Sequence, residues 1–346
     1  MADIKKLAWN VDEETYRNEP LLSYSMLSKF NREGFESIST LFDKIESPSL
    51  TFGSLVDTLI TEPKDLINKF LIASFPKLTD AAEKAIKGIF EEFNEKYYAL
   101  NKIPDEKLLD KISELRFQSN WKSTTRLNYI KDNCGEYYDL LILSKGKILV
   151  NQADYSAAEE CVNALKNSDA TREFFGLNFD KKERLYQLKF KGIYKNIGLK
   201  CMPDELIIDH ENKTIQPVDL KTSGHPEWDF FKSFIQWGYW IQAKLYTYIL
   251  QQNIDKDGEL KNYKILNYKF VVVNKQTKQP LVWDYEDSTK QSDETYGINR
   301  VIQCKDWRKI AEELNHYLTS SDNKYPIGIN HSKGTSNSIT QYLNEQ

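Results

Sequence analysis

The chain has 346 residues, with 47 Lys and Arg against 51 Asp and Glu, which gives a formal net charge of −4. This balance excludes a protein that binds nucleic acid through bulk positive charge, so any DNA binding must come from a local groove. Four scattered cysteines without a Cys-x-x-Cys pair argue against a zinc or iron–sulfur site, and no stretch approaches the ~20 apolar residues of a membrane span.

Two apolar helices are predicted early in the chain. Ser23 or Ser25 precedes the first helical pattern and is expected to be its N-cap. The second helix spans Phe52 to Ile60 and carries one acid, Asp57. If this helix is buried, Asp57 needs a cation as partner, and if one face is solvated, Asp57 has no special role. The sequence does not decide between these two interpretations.

The next region is rich in charge and helical in pattern. Residues 78–140 predict helices that cover or flank a core. The apolar run at 140–150 predicts a short hairpin that turns at Lys145-Gly146. A further helix is predicted from Asp154 to Lys166.

A β-rich region begins near residue 183 and predicts the fold class. We expect an α/β fold in which a central mixed β-sheet is flanked by helices and the N-terminal half is helical. The predicted domain is single and covers residues 1–318, with a helical part at 1–180, a β-rich core at 181–275 and a C-terminal helix at about 300–318. Residues 319–346 form a polar tail without a helical or strand pattern. The core strands are predicted at 185–191, 197–202, 205–209, 214–221 and 268–273, with a long helix at 228–250.

Two acids and a lysine are expected to meet on the central hairpin. Asp204 precedes one strand, and Asp219 and Lys221 share a face near the end of the next. Because hard divalent cations take oxygen ligands, Asp204, Asp219 and the backbone carbonyl of Leu220 are predicted to hold Mg²⁺, with Mn²⁺ as an alternative. Lys221 would then orient or activate the attacking water. The competing interpretation of a lone Asp-x-Lys is a surface ion pair.

The predicted long helix adds two polar residues. Gln242 and Tyr246 are four residues apart and share a face, from which both could bind a phosphate or Lys221. The aromatic residues of the same helix are interpreted as core, namely Trp237, Trp240 and Tyr248. Three lysines could line a groove for a DNA strand, namely Lys232, Lys244 and Lys275.

These motifs together resemble the PD-(D/E)XK nuclease superfamily, and the resemblance implies that the α/β fold has a restriction-endonuclease-like core. The resemblance rests on Pro203-Asp204, Asp219-Leu220-Lys221 and Gln242-x-x-x-Tyr246. More narrowly, the chain resembles the RecE-type and lambda-type phage exonucleases. Three stretches of this chain are similar to sequence motifs of those exonucleases, namely Tyr24-Ser25-x-Leu27, residues 53–57 followed by Glu62-Pro63, and residues 199–204 together with 218–223.

The resemblance assigns two further site residues, and both depart from the family pattern. Asp57 stands where the family usually has a metal-binding histidine, so the resemblance implies Asp57 as a metal ligand. Gln187 stands where an acid is often found on the first core strand, and it could still orient water. If Glu183 serves instead, the predicted register of that strand is wrong.

The resemblance also implies the function. It predicts a Mg²⁺-dependent exodeoxyribonuclease that acts on double-stranded DNA ends in recombination or repair, located in the cytoplasm of a bacterial or phage-infected cell. It implies a single-strand-annealing recombination protein and further copies of the chain as partners. No membrane partner is expected, because the chain lacks a long apolar stretch. Asp57 and Gln187 motivate a second hypothesis, a catalytically weakened or inactive DNA-binding protein that keeps the fold. A third is a nuclease of the same fold that acts on structured DNA or RNA.

Overall fold

The computed structural model describes residues 2–43, 47–75, 78–176, 182–286, 294–297 and 301–320, with side chains at all of these except 294–297 and 301–303. The chain divides into two compact units. The first consists of the described parts of Met1–Glu46 and Ala164–Gln346, and the second, Ser47–Asn163, lies between them in the sequence. The predicted polar tail lies almost wholly outside the described residues, and the prediction of a single domain stays a prediction.

Helices dominate the first half of the chain and strands the second. The α-helices are α1 (Glu13–Asn18), α2 (Tyr24–Glu33), α3 (Pro48–Thr61), α4 (Leu66–Lys69), α5 (Asp80–Phe93), α6 (Asp105–Glu114), α7 (Ser123–Asn133), α8 (Gly135–Ser144), α9 (Gln152–Asn167), α10 (Arg172–Phe175), α11 (Phe230–Trp237), α12 (Tyr239–Ile254) and α13 (Trp307–Thr319). The strands are β1 (Phe70–Ala73), β2 (Ile148–Asn151), β3 (Glu183–Tyr186), β4 (Phe190–Tyr194), β5 (Ile197–Cys201), β6 (Glu205–Asp209), β7 (Thr214–Ser223), β8 (Lys264–Ile265), β9 (Tyr268–Asn274), β10 (Pro280–Tyr285), β11 (Glu294–Gly297) and β12 (Val301–Cys304).

A mixed six-stranded sheet forms the centre of the first unit, as predicted. Its order is β10-β9-β7-β6-β3, and the short strand β8 pairs with β7. β6 and β7 are antiparallel, whereas β9 runs parallel to β7 because α11 and α12 form the crossover between them. β7 is ten residues long and extends past the start of β6, which leaves its last residues without a β6 partner.

One face of this sheet carries the main core. Side chains such as Leu206, Ile208, Ile215 and Phe270 point to the same face and are almost fully buried. They belong to one apolar cluster with residues of α2, α12 and α13. α12 is buried along most of its length, which fits a helix enclosed by the sheet on one side and other helices on another.

Glycine breaks the predicted long helix in two. Gly238 has φ +64° and separates α11 from α12. This left-handed conformation is costly for residues with a Cβ, and a Cβ here would also lie 3.1 Å from Ile241 Cδ1. The break lets α12 begin in a new direction, with Gln242 in its first turn.

The hairpin predicted at 140–150 is wrong. Residues 140–144 end α8, and β2 pairs in parallel with β1. A short continuous apolar run fits a buried helix as well as a strand, and here Tyr137, Tyr138 and Leu141 pack into the core of the second unit. Lys145 (φ +50°) ends the helix in the left-handed conformation, so the Lys-Gly signal marked a helix end rather than a hairpin turn.

Helices α5 to α8 build a separate apolar core in the second unit. The predicted helices of 78–140 are therefore present, and they bury residues such as Ile86, Ile89, Leu108 and Ile130 among themselves. None of the described helices is long and apolar enough to cross a membrane.

Candidate active site

The register of β6 and β7 brings the two predicted acids together. Glu205 lies opposite Val218, so the next step along each strand places Asp204 level with Asp219. Asp204 Oδ2 accepts a hydrogen bond of 2.8 Å from the backbone N–H of Leu220. Because the N–H and C=O of a strand residue point to the same side, the Leu220 carbonyl also faces Asp204. The two carboxylates and this carbonyl therefore occupy the open end of β7.

Lys221 and Gln242 complete a buried polar network around Asp219. Lys221 Nζ lies 2.6 Å from Asp219 Oδ2 and donates to Gln242 Oε1 at 3.2 Å. Gln242 Nε2 donates in turn to Asp219 Oδ1. Asp219 and Gln242 are 1% and 4% exposed. The amide of Gln242 thus connects the acid with the lysine, and the surface-ion-pair interpretation of the Asp-x-Lys motif is wrong.

The ammonium of Lys221 is held as a cation. Burial alone would lower the pKa of Lys221, but the negative charge of Asp219, followed by Tyr239 and Asp204, outweighs it and raises that pKa. The Nζ atom also lies 4.7 Å from the centroid of the Tyr239 ring, in cation–π contact. The site therefore combines two acids with a fixed positive charge.

Tyr246 lies one turn beyond Gln242 on α12 and is buried. Burial raises its pKa well above the usual range, with smaller contributions from Tyr16, Cys201 and Asp219. The phenol is therefore neutral, and its side chain lies within electrostatic reach of the two acids. The binding of a phosphate by Tyr246 stays a prediction.

The single strand predicted at 185–191 is wrong, because β3 ends at Tyr186 and β4 begins at Phe190. Gln187 follows β3, takes a left-handed backbone (φ +51°), and donates its N–H to the carbonyl of Asp204 at 3.1 Å. It is thus adjacent to Asp204, although the role of its side chain stays a prediction. Glu183 is wrong as the alternative, because it pairs with Ile208, four residues or roughly 13 Å along the sheet from Asp204.

The sequence also singled out Asp57, Lys244 and Trp237. Asp57 lies half-buried on α3 of the second unit, and its part in metal binding stays a prediction. Lys244 is buried on α12, so it is wrong as a lysine lining a surface groove. Trp237, predicted to be core, is 41% exposed.

The donor set at the end of β7 fits a hard divalent cation. Asp219 is a carboxylate buried against a strand end, and Asp204 is positioned by the Leu220 N–H. Across the described ranges, no cluster of three or more His, Cys, Asp and Glu side chains has metal-binding geometry. Mg²⁺, however, commonly binds through one or two carboxylates and keeps several waters. The residues at hand therefore suit Mg²⁺ better than a soft metal such as zinc.

Comparison with known proteins agrees with these motifs. The model of the PDDEXK-like domain of unknown function, DUF3799, matches residues 23–281. The chain belongs to this PDDEXK-like family. The match includes both acids, Lys221, Gln242 and the first helix of the resemblance, α2.

Other comparisons add little. No curated protein matches the sequence. One solved structure with similarity is that of a "Putative exonuclease" from Eubacterium rectale, which is 16% identical, with coverage of 89% of this chain and 82% of that one and a TM-score of 0.38.

Sequence reasoning missed two tyrosines of this PDDEXK-like site. Tyr239 stacks on Phe230 with ring centroids 5.5 Å apart, and Tyr24 of α2 approaches Tyr239 at 6.1 Å. The charges of Lys221 and Asp219 influence the Tyr24 hydroxyl, which places it at the edge of the site. In the sequence, Tyr24 is part of the motif Tyr24-Ser25-x-Leu27. Tyr24, Ser28 and Arg32 follow one another at steps of four, so they share one face of a helix, and this spacing is the signal that could have identified Tyr24.

The ring of Tyr239 is expected to position Lys221. Replacement of Tyr239 by leucine removes the cation–π contact, and we expect the rate of DNA cleavage to fall about tenfold. Tyr239→Phe keeps the ring and should retain most of the activity. Initial rates on a labelled linear duplex in Mg²⁺ measure the effect, with the thermal midpoint as a folding control. Equal losses in the two variants would mean that the hydroxyl, rather than the ring, matters.

Glu205 is a buried acid on the opposite face of the sheet. It pairs with Val218 in register and therefore points away from the Asp219 side. Burial raises the pKa of Glu205 to about 8, with Arg184 and then Tyr186 acting against the rise. Arg184 Nε lies 3.8 Å from Glu205 Oε1. This acid is therefore expected to hold a proton near neutral pH.

Glu205→Gln is expected to stabilise the fold at alkaline pH. The folded chain keeps the Glu205 proton up to about pH 8, whereas the unfolded chain releases it near 4.5, so stability should fall as pH rises between these values. The gain for the variant at pH above 8 should be on the order of 3–5 kcal/mol. Urea unfolding at acidic and alkaline pH, with a chelator present, measures it.

Asp209→Asn on the same strand serves as the matched control. Hydrogen bonds from Asn212 lower the pKa of Asp209, so this substitution should reduce stability instead. If Glu205→Gln leaves the pH dependence of the unfolding free energy unchanged, Glu205 does not hold a proton in the folded chain.

Proposed function

We propose that this PDDEXK-like protein is a Mg²⁺-dependent DNA exonuclease that hydrolyses phosphodiester bonds at duplex ends. The observation that carries the proposal is the convergence of Asp204, Asp219 and Lys221 at the open end of β7, where Gln242 connects Asp219 with Lys221. Action at DNA ends, a place in phage-type recombination and an annealing protein as partner are supported by the resemblance to RecE-type and lambda-type exonucleases alone.

Each residue has a chemical task in this reaction. Asp204, Asp219 and the Leu220 carbonyl would hold the metal, which when bound lowers the pKa of its water and neutralises charge on the phosphate. Lys221 directs an ammonium at the same point, where it orients the attacking water and stabilises the negative charge that develops on the scissile phosphate. Gln242 fixes the separation of Lys221 from Asp219 through its two hydrogen bonds.

A cleavage assay with two substrate forms tests this function. We expect an end-labelled linear duplex to lose nucleotides from its ends in Mg²⁺, and a covalently closed circular duplex to stay intact. A chelator should stop the reaction, and Mn²⁺ should restore it. Cleavage of the circle would indicate an endonuclease, and preference for RNA or branched DNA would indicate another substrate class. Binding of DNA without cleavage in either metal would favour the non-catalytic DNA-binding protein.

A further inference from the structure

A second cation lies near Lys221, stacked on an exposed aromatic ring. The guanidinium carbon of Arg32, on α2, lies 4.8 Å from the centroid of the Trp237 indole at the end of α11. Trp237 is 41% exposed, and the Arg32 side chain is 26% exposed. A cation over an indole is a common contact in proteins, so a role for this pair depends on what surrounds it.

The surrounding residues hold this pair in place. Arg32 Nη1 donates to Ser28 Oγ at 2.6 Å, and Arg32 Nη2 lies 3.6 Å from Glu33 Oε1. The Trp237 carbonyl accepts hydrogen bonds from the hydroxyls of Ser28 at 2.5 Å and Tyr24 at 2.8 Å. α2 therefore fixes both the arginine and the end of the helix on which it stacks.

The pair is continuous with the proposed catalytic centre. Tyr239 contacts Lys221 through its ring face and lies 6.1 Å from Tyr24, which is hydrogen-bonded to Trp237. The charge of Arg32 also influences the Tyr239 hydroxyl. Two tyrosine side chains thus separate Lys221 from the Arg32–Trp237 pair.

We infer that Arg32 and Trp237 form a nucleotide subsite for the strand that is cleaved. A guanidinium has five N–H donors, of which Ser28 accepts one and Glu33 lies near those of Nη2. The donors that remain match the oxygens of a phosphate. The open part of the indole is suited to stack on an unpaired base, a contact that tolerates every sequence. In a chain with net charge −4, such fixed cations must supply local attraction for DNA. This inference rests on the proposed nuclease function.

DNA binding by variants tests the subsite separately from cleavage. All proteins carry Lys221→Ala, so that hydrolysis does not interfere, and the probe is a fluorescein-labelled duplex with a short unpaired end, in Mg²⁺. Arg32→Ala is expected to weaken DNA binding about tenfold and to reduce the slope of log affinity against log salt concentration by about one. Trp237→Ala is also expected to weaken DNA binding about tenfold. Trp237→Phe should recover part of the loss, and Arg32→Lys should not, because it lacks the planar fork.

Two exposed residues of the same unit provide matched controls. Trp228 is 65% exposed just before α11, and Arg17 on α1 has a 67% exposed side chain that pairs with Glu13. Trp228→Ala and Arg17→Ala are expected to change binding less than about twofold. Thermal midpoints equal to that of the background protein establish that each variant folds.

Probes with and without a terminal phosphate identify the phosphate that Arg32 binds. If Arg32→Ala weakens the binding of both probes, Arg32 binds an internal phosphodiester. If it weakens the binding of the phosphorylated probe alone, Arg32 binds the terminal phosphate. Binding by the Arg32→Ala and Trp237→Ala variants that equals the background would overturn the subsite, even if the unmodified protein cleaves DNA. If the unmodified protein neither binds nor cleaves DNA, the proposed function and the subsite both fail.

Discussion

Replacement of Lys221 by alanine is expected to lower the rate of duplex cleavage by roughly 10²- to 10⁴-fold and to leave DNA binding almost unchanged. The ammonium is held by Asp219 Oδ2 at 2.6 Å and by Gln242 Oε1 at 3.2 Å, and its position beside the metal ligands suits it to act on the reacting phosphate. An effect on the rate without an effect on binding is the signature of a group that acts mainly in the transition state.

Lys221→Arg sharpens this expectation. The longer planar guanidinium cannot occupy the space of an ammonium that is enclosed by Asp219, Gln242 and the Tyr239 ring. The charge would be retained, but we still expect most of the activity to be lost. Single-turnover rates with excess protein separate the chemical step from product release.

The chain offers a matched control in a second Lys–Asp pair of the same sheet. Lys269 on β9 pairs with Asp284 on β10, and Lys269 lies in register with Val218, on the face opposite to Asp219. Lys269→Ala should leave the cleavage rate unchanged. If Lys221→Ala cleaves DNA at the rate of the Lys269→Ala control, Lys221 has no catalytic role.

The meeting of the two acids could be predicted from sequence because it depends on local rules. Asp204 and Asp219 flank a hairpin whose turn chemistry lies at 210–213, and strand alternation alone places Asp219 and Lys221 on one face. Gln242 followed from helical spacing and the family pattern. These residues are either close together in the sequence or brought together by the pairing of two neighbouring strands.

The parts that sequence did not predict depend on tertiary packing. Tyr24 and Tyr239 meet near Lys221 only because α2 packs against the α11–α12 junction, a contact between segments more than 200 residues apart. Glu205 was counted as an ordinary strand residue, because nothing local tells which face of a strand will be enclosed. The left-handed turn at Gln187 likewise interrupts an alternating pattern that predicted one continuous strand.

Asp219 and Lys221 are expected to depend on each other for stability when metal is absent. Asp219 is 1% exposed, so Lys221→Met leaves a buried carboxylate without its cation, and Asp219→Asn leaves the lysine without its anion. Each single substitution should lower the free energy of unfolding by about 2–4 kcal/mol, a range that allows for the fifth of the Lys221 side chain that water reaches. The double variant should lose less than the sum.

A double-mutant cycle by urea unfolding in chelator measures this coupling. The same cycle on Lys269 and Asp284, whose side chains are 23% and 53% exposed, should give less than about 1 kcal/mol. Additive losses at Asp219 and Lys221 would show that the pair contributes nothing beyond its members.

Mg²⁺ then separates the structural role of Asp219 from its role as a ligand. Because a ligand that binds only the folded state raises the unfolding midpoint by mass action, Mg²⁺ should stabilise the unmodified protein and the Lys221→Met variant. It should not stabilise Asp219→Asn or Asp204→Asn. Lys221→Met should even gain more than the unmodified protein, because the metal replaces the missing cation beside Asp219. Equal stabilisation of all four proteins would place the Mg²⁺ site elsewhere in the chain.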